Sequence, residues 1–259
     1  MKAARPTPAL LARRVESALA AGQARRGRLT ADLLQVEGFS TPQIRYFLNA
    51  LCARPDTRYL EVGTWKGSTL LAASFRNPGR FRAIDDFSAA LQARETFQAN
   101  RLAFQAECRV DFHELDCWSA EAVRKAGRDN NVYFYDGPHS VSDQYQAFTY
   151  YDRALSGLFI AIVDDWNFQS VRQGTRWAFA DLGYRVHHER EIFTRRWLKD
   201  GWWNGFYVAV VEKAARARAG AGARRPGRAA AAPSRGRTPA PAAPRRGPRR
   251  RRAARATSR

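Results

Sequence analysis

The stretch Arg58-Tyr-Leu-Glu-Val-Gly-Thr-Trp-Lys-Gly-Ser-Thr-Leu-Leu-Ala-Ala-Ser-Phe75 constrains the fold more than any other. Tyr59, Leu60 and Val62 read as the end of a buried strand, and Gly63 and Gly67 bracket a tight turn. From Ser68 to Phe75 apolar residues recur at helical spacing. A strand, a glycine turn and a helix start make a site for a nucleotide-like ligand. The glycines let the backbone come close, and the first N–H groups of the helix are unpaired donors. Asp85 ends the next apolar run, about 20 residues past the glycines, where an acid reaches ribose hydroxyls. Asp86 competes for that role; Asp85 is preferred because it follows the strand directly.

The glycine pattern is G-x-x-x-G preceded by Glu61, and Trp65 stands where a dinucleotide fold needs its second glycine. A nicotinamide enzyme is disfavoured on that ground. Glu61 suits a cationic or hydrogen-bond-donating ligand better than two phosphates.

Downstream, β and α patterns alternate. Helices are expected over 8–21 with Gly22 as a stop, and from Pro42, with Thr41 as N-cap, to Leu51. Others are expected over 88–104, with Leu91, Phe97 and Leu102 facing inward, and over 119–126, 142–155 and 171–182. Strands are expected over 81–84, 110–115, 131–135, 158–163, 184–188 and 206–211. The run Leu158 to Val163 is continuously apolar, as in a central parallel strand covered on both faces. The pattern indicates an α/β, doubly wound, Rossmann-like sheet.

The chain carries 44 Lys and Arg against 24 Asp and Glu, unevenly placed. Residues 214–259 hold fifteen Arg and no acid, leaving 29 basic against 24 acidic residues in 1–213. The global charge therefore says little about the folded part. Three organising segments are expected: a basic helical extension over 1–35, a domain over 36–213, and a disordered Arg/Ala/Pro-rich tail over 214–259. The tail is preferred as a composition-biased extension; contact with nucleic acid or an anionic surface is its alternative. The Arg-rich start fits a surface helix or an organelle transit peptide, and the surface helix is preferred. Cys52, Cys108 and Cys117 form no C-x-x-C pair, which fits reduced thiols and a cytoplasmic location. No apolar run is long enough to span a bilayer. Oligomeric state is not legible.

Five successive strands end in acids: Glu61, Asp85, Asp116, Asp136, and Asp164 with Asp165. In an open parallel sheet these ends converge where ligands bind. Acids crowded there repel one another and need a cation, hydroxyls or donors. Asp136, Asp164 and Asp165, with no cysteine beside them, suit oxygen coordination of Mg²⁺. His139 is the best general-base candidate. His113, His187 and His188 are expected in packing or surface roles, and Trp202 and Trp203 in the core or at an acceptor pocket.

Glu61-Val-Gly-Thr-Trp-Lys-Gly67, the acids after strands two and three, Tyr135-Asp-Gly-Pro-His139 and Val163-Asp-Asp-Trp166 resemble, in order and spacing, the motifs of class I S-adenosylmethionine (SAM)-dependent methyltransferases. The catechol- and macrocin-type O-methyltransferase branch is the most similar, over residues 36–213. The resemblance implies a seven-stranded sheet with the last strand antiparallel. It puts the amino-acid end of SAM by Glu61, Gly63, Thr64, Gly67 and Ser68, the ribose on Asp85, and the adenine by Asp116 and Trp118. It implies Mg²⁺ on Asp136, Asp164 and Asp165, with Asp136 and His139 serving catalysis. Asp164-Asp165 departs from the Asp-Asn of the catechol enzymes. The activity implied is O-methylation of a small-molecule acceptor. Two alternatives stay open: a nucleic-acid methyltransferase using the Arg-rich tail, and a non-catalytic SAM-binding protein.

Overall fold

The alternation of apolar residues along each strand sorts them onto two faces of one sheet. Tyr59, Phe81, Val132, Phe134, Ile160, Ile162 and Phe206 face one core; Leu60, Ile84, Tyr133, Phe159, Ala161, Val163 and Tyr207 face the other. A computed structural model describes residues 6–195 and 201–214. The strands are β1 (Arg58–Val62), β2 (Arg80–Asp85), β3 (Val110–Glu114), β4 (Asn130–Tyr135), β5 (Leu155–Asp164), β6 (Arg185–Ile192) and β7 (Phe206–Glu212). They pair in the order β3-β2-β1-β4-β5-β7-β6. Strands β1 to β5 are parallel, and β7 runs antiparallel between β5 and β6. The expected seven-stranded doubly wound sheet with an antiparallel last strand is therefore present. The strand order reverses between β1 and β4.

The helices are α1 (Pro8–Gln23), α2 (Ala31–Leu34), α3 (Pro42–Leu51), α4 (Ser68–Ser74), α5 (Ala93–Ala103), α6 (Ala120–Ala126), α7 (Val141–Thr149) and α8 (Gln169–Asp181). Helices α1, α3, α4 and α5 cover the first face, and α6, α7 and α8 the second. Thr41 caps α3 through its hydroxyl, with Pro42 first in the helix, as the sequence indicates.

Four expectations change. Helix α1 keeps an exposed face but packs its other face on the domain: Leu11, Val15 and Ala18 are buried in the first core, and Arg14 donates to the Leu51 carbonyl and the Thr57 hydroxyl, each at 2.7 Å. Gly22 is the last residue but one of that helix, which ends at Gln23 rather than before Gly22, and it is buried. Helix α5 begins only at Ala93 and turns Phe97 inward, while Leu91 and Leu102 are exposed. Leu102 lies five residues past Phe97, about 140° round the helix. Helix α7 ends at Thr149, and a 3-10 turn (Asp152–Ala154) leads into β5, so Leu155 is strand rather than helix. The tail expectation from 214 onward falls, past Ala214, outside the described residues. Among those described, no helix is long and apolar enough to cross a membrane.

Glu61 is buried on β1 and fastens α4 to the strand. The Tyr59 hydroxyl donates to Oε2, and the Thr69 hydroxyl to Oε1 at 2.7 Å. Burial pushes its carboxyl up to about 8, with the Asp85 charge adding to the rise and the two hydroxyl donors opposing it. The folded chain thus holds this proton more tightly than the unfolded one. The contribution to stability is full below the ordinary value of 4.5 and falls as pH rises towards about 8. Glu61→Gln should flatten that part of the pH profile. Urea midpoints of both proteins across this window test it, and identical slopes would show that Glu61 titrates normally.

Gly22 gives a second prediction. In an ordinary helix interior Gly→Ala stabilises by about 1 kcal/mol. Here a Cβ would lie 2.8 Å from the Gln43 carbonyl oxygen and 3.0 Å from the Phe47 Cβ, on the neighbouring α3. Overpacking costs about 1–3 kcal/mol, so Gly22→Ala should lower the urea midpoint rather than raise it.

Candidate active site

The reversal of strand order opens a crevice at the carboxyl ends of the parallel strands. A cavity of about 680 Å³ lies there, within the range for small-molecule sites. Its near wall is the β1–α4 turn. Gly63 has φ +88°, and a Cβ there would come within 2.2 Å of the Asp136 carbonyl oxygen, so only glycine lets this turn meet the end of β4. Gly67, also at φ +88°, starts α4.

Asp85 braces the turn. Its Oδ2 accepts from the Thr64 N–H (2.6 Å), the Thr64 hydroxyl (3.1 Å) and the Trp65 N–H (2.9 Å), and its Oδ1 accepts from the Phe87 N–H (2.8 Å). Asp86, beside it on the cavity wall, accepts from the Ser88 N–H at 2.9 Å and the Ser88 hydroxyl at 2.6 Å, both through Oδ1. Beyond β3, Asp116 accepts from the Trp118 N–H at 2.9 Å. Tyr150 and Tyr151 anchor this loop from below by donating to the Trp118 and Cys117 carbonyls.

The far end holds the remaining acids. His139 Nε2 lies 3.0 Å from Asp165 Oδ2, and its ring stacks on Phe168 at 6.0 Å. Ligand atoms of Asp136, His139 and Asp165 all lie within 4.8 Å of one another. Asp164, expected beside Asp136 and Asp165, lines the same end of the cavity outside this grouping. Asp164 is 6% exposed, and its Oδ1 has no hydrogen-bond partner among the described residues. Burial first, then the neighbouring carboxylates, pushes the Asp136 and Asp164 carboxyls well above the usual range. Among the described residues, the cavity wall contains neither lysine nor arginine.

Gly63, Thr64, Asp85, Asp116, Trp118, Asp136, His139, Asp164 and Asp165 all reach the cavity. Glu61, Gly67 and Ser68 stand behind the wall: Glu61 is bonded within the sheet, Gly67 packs towards Phe97, and Ser68 shares a 2.9 Å hydrogen bond with Ser40. The tryptophan pair divides. Trp202 is buried against Phe47 and Phe206, whereas Trp203 lines the cavity. Phe39, Phe168 and Asn204 also line it and carried no sequence signal. Phe39 packs on Trp65 at 4.3 Å and on Trp203 at 5.9 Å, and it is 59% exposed, an aromatic rim over an acidic floor. The Nε2 atoms of His113, His187 and His188 lie 3.3, 2.7 and 2.7 Å from carboxylate oxygens of Asp111, Glu212 and Glu16, away from the cavity.

No protein-family model and no curated protein matches the chain by sequence. Solved structures match it by shape. An O-methyltransferase from Bacillus cereus in complex with SAH is 14% identical, with a TM-score of 0.51, over 81% of this chain and 94% of that one. TomG, an O-methyltransferase from Streptomyces achromogenes involved in tomaymycin synthesis and solved with SAM, is 16% identical, with a TM-score of 0.51, over 77% and 89%. A precorrin-6y C5,15-methyltransferase from Geobacter metallireducens is 15% identical, with a TM-score of 0.50, over 72% and 98%. At these identities the likeness concerns the backbone: the chain has the fold of the class I SAM-dependent methyltransferases.

Proposed function

We propose that the protein is a SAM-dependent methyltransferase acting on an oxygen of a small-molecule acceptor. The observation that carries this reading is the cavity at the strand-order reversal. It runs from the Gly63 turn, across Asp86 and Asp116, to the His139–Asp165 pair. The amino-acid end of the donor lies against the backbone of Gly63 and Thr64, with Gly67 and Ser68 shaping the turn and Glu61 holding α4 from behind. Asp85 already accepts four hydrogen bonds, so the ribose falls to Asp86, the other acid at this strand end. Asp116 and Trp118 face the adenine. The acceptor enters beneath Phe39, Trp65 and Trp203, and its oxygen attacks the sulfonium methyl in line. His139 takes the hydroxyl proton through the ring nitrogen not engaged with Asp165, and Asp165 fixes the ring. Much of the rate comes from positioning the two reactants.

The far end of the cavity also fits a divalent cation. The oxygen-rich donor set, the clustered ligand atoms of Asp136 and Asp165, and the orphaned Asp164 oxygen all support this. When bound, such an ion would neutralise the crowded carboxylates and polarise the acceptor hydroxyl. The lack of basic residues on the described wall disfavours a polyanionic acceptor, and with it the nucleic-acid methyltransferase alternative.

Calorimetric titration with S-adenosylhomocysteine should give tight binding. Asp86→Ala should weaken it about tenfold to a hundredfold, the loss of hydrogen bonds to a charged acceptor. His139→Ala should leave it unchanged while lowering kcat for a labelled methyl group by about 10²–10⁴. Binding without turnover over a broad panel of phenols and sugars would instead mark a SAM-binding protein. Mn²⁺, a paramagnetic stand-in for Mg²⁺, should lose its free-ion resonance signal on addition of the protein and keep it with Asp136→Asn. Equal signals with both proteins would remove the metal from the proposal.

A further inference from the structure

The edge of the sheet opposite the cavity has the opposite charge. At the amino ends of β2 and β3 lies an open concavity of about 1200 Å³. Five arginines line it: Arg76 after α4, Arg80 and Arg82 on β2, Arg101 on α5, and Arg109 before β3. Only two acids, Glu107 and Asp111, share the wall. Among the described residues, Arg82 alone of the five has a carboxylate partner, Asp111 at 3.3 Å. Asp111 is shared in turn with His113, also at 3.3 Å. The guanidinium of Arg76 lies over the Phe75 ring at 4.9 Å and that of Arg101 over the Phe112 ring at 6.0 Å, contacts that leave their edges able to donate. Arg28 reaches the rim, donating to the Arg76 carbonyl at 2.8 Å and to Asn77 Oδ1 at 3.0 Å.

We propose that this arginine-lined groove binds the phosphodiester backbone of a nucleic acid. Several unpaired forked cations in one concavity match a row of phosphates, each able to accept two parallel hydrogen bonds from a guanidinium. Gln98 and Gln105 on the same wall offer amide groups to sugars and phosphates and no opposing charge. A polymer of phosphates fits better than a single acidic peptide because the sequence carries a second cationic segment: residues 214–259 hold fifteen Arg and no acid. The placement also fixes what such binding does. The polymer is held at the amino ends of the strands, while the acid-lined methyl-transfer cavity is at the carboxyl ends. The segment held in the groove therefore tethers the protein and is not itself the segment that meets the methyl-transfer cavity. This inference does not depend on which small molecule is methylated.

The test uses the full chain, with fluorescent duplex DNA and single-stranded RNA of matched sequence as probes. Binding is measured over a salt series for the wild type and for the triple variant Arg80→Gln, Arg101→Gln, Arg109→Gln. Each lost phosphate contact reduces the slope of log K against log salt by about 0.9 for duplex and about 0.7 for single strands. The variant should therefore lose about 2–3 units of slope on whichever probe occupies the groove, with S-adenosylhomocysteine affinity unchanged. On the wild type, bound probe should protect Arg80 and Arg109 from phenylglyoxal, a readout that needs no variant to fold. Equal slopes together with unprotected arginines would overturn the proposal and assign all binding to other parts of the chain. Displacement of both probes by polyglutamate at equal charge would overturn it in favour of an acidic protein partner.

Discussion

The structure depends on a concentration of negative charge that a folded chain would ordinarily avoid. Asp85, Asp86, Asp116, Asp136, Asp164 and Asp165 all open onto one cavity of about 680 Å³. Each is delivered there by strand topology. Parallel strands end on the same edge, and the reversal of order between β1 and β4 opens that edge instead of packing it. The acids differ in how they are satisfied. Asp85 and Asp116 accept backbone N–H groups and so stiffen the loops they terminate. Asp164 keeps one oxygen without a donor among the described residues, and burial with mutual repulsion holds the Asp136 and Asp164 protons tightly. The acids that resist ionisation are therefore confined to the far end of the cavity, next to His139. Structural acids and chemically available acids are thereby separated within one ring of similar residues.

Much of this was legible in the sequence because strands and tight turns follow short-range rules. The seven strands, the capped start of α3, the glycine turn and the acids at the strand ends rest on periodicity, on glycine at a positive φ and on helix capping. The differences concern helices, whose phase, ends and long-range contacts a local pattern does not record. Leu102 looked like a core residue until Phe97 set the inward face of α5, about 140° away. Gly22 looked like a stop because glycine is a poor helix former. Its actual reason is the approach of α3, and no local pattern records that contact.

The site was legible as a list of residues but not as an arrangement. Nothing in Val163-Asp-Asp-Trp166 says which neighbouring acid meets His139. Asp165, at φ +56°, leaves the strand direction and turns to the histidine, while Asp164 is the last residue of β5 and keeps the strand's direction at the cavity edge. A positive φ at a non-glycine residue cannot be read from its neighbours. Nor does the sequence alone say which of Asp85 and Asp86 the Thr64–Trp65 backbone engages; in the structure it is Asp85. Phe39 reaches the rim from a loop preceding α3, a long-range placement with no local signature.

The two edges of the sheet together give the molecule a charge polarity that its overall composition hides. A net count of +20 suggests a uniformly basic protein. The fold instead places acids at the carboxyl ends of the strands and arginines at the amino ends of β2 and β3. A polyanion near the surface meets repulsion at one edge and attraction at the other. The potential is screened within about 8–10 Å at physiological salt. Cavity and groove open at opposite ends of strands five to ten residues long, and at about 3.3 Å per residue that separation is at least comparable with the screening length. The two fields therefore act largely independently. A cation is attracted to the acidic edge whether or not the groove is occupied, and both preferences follow from where the chain places its charge.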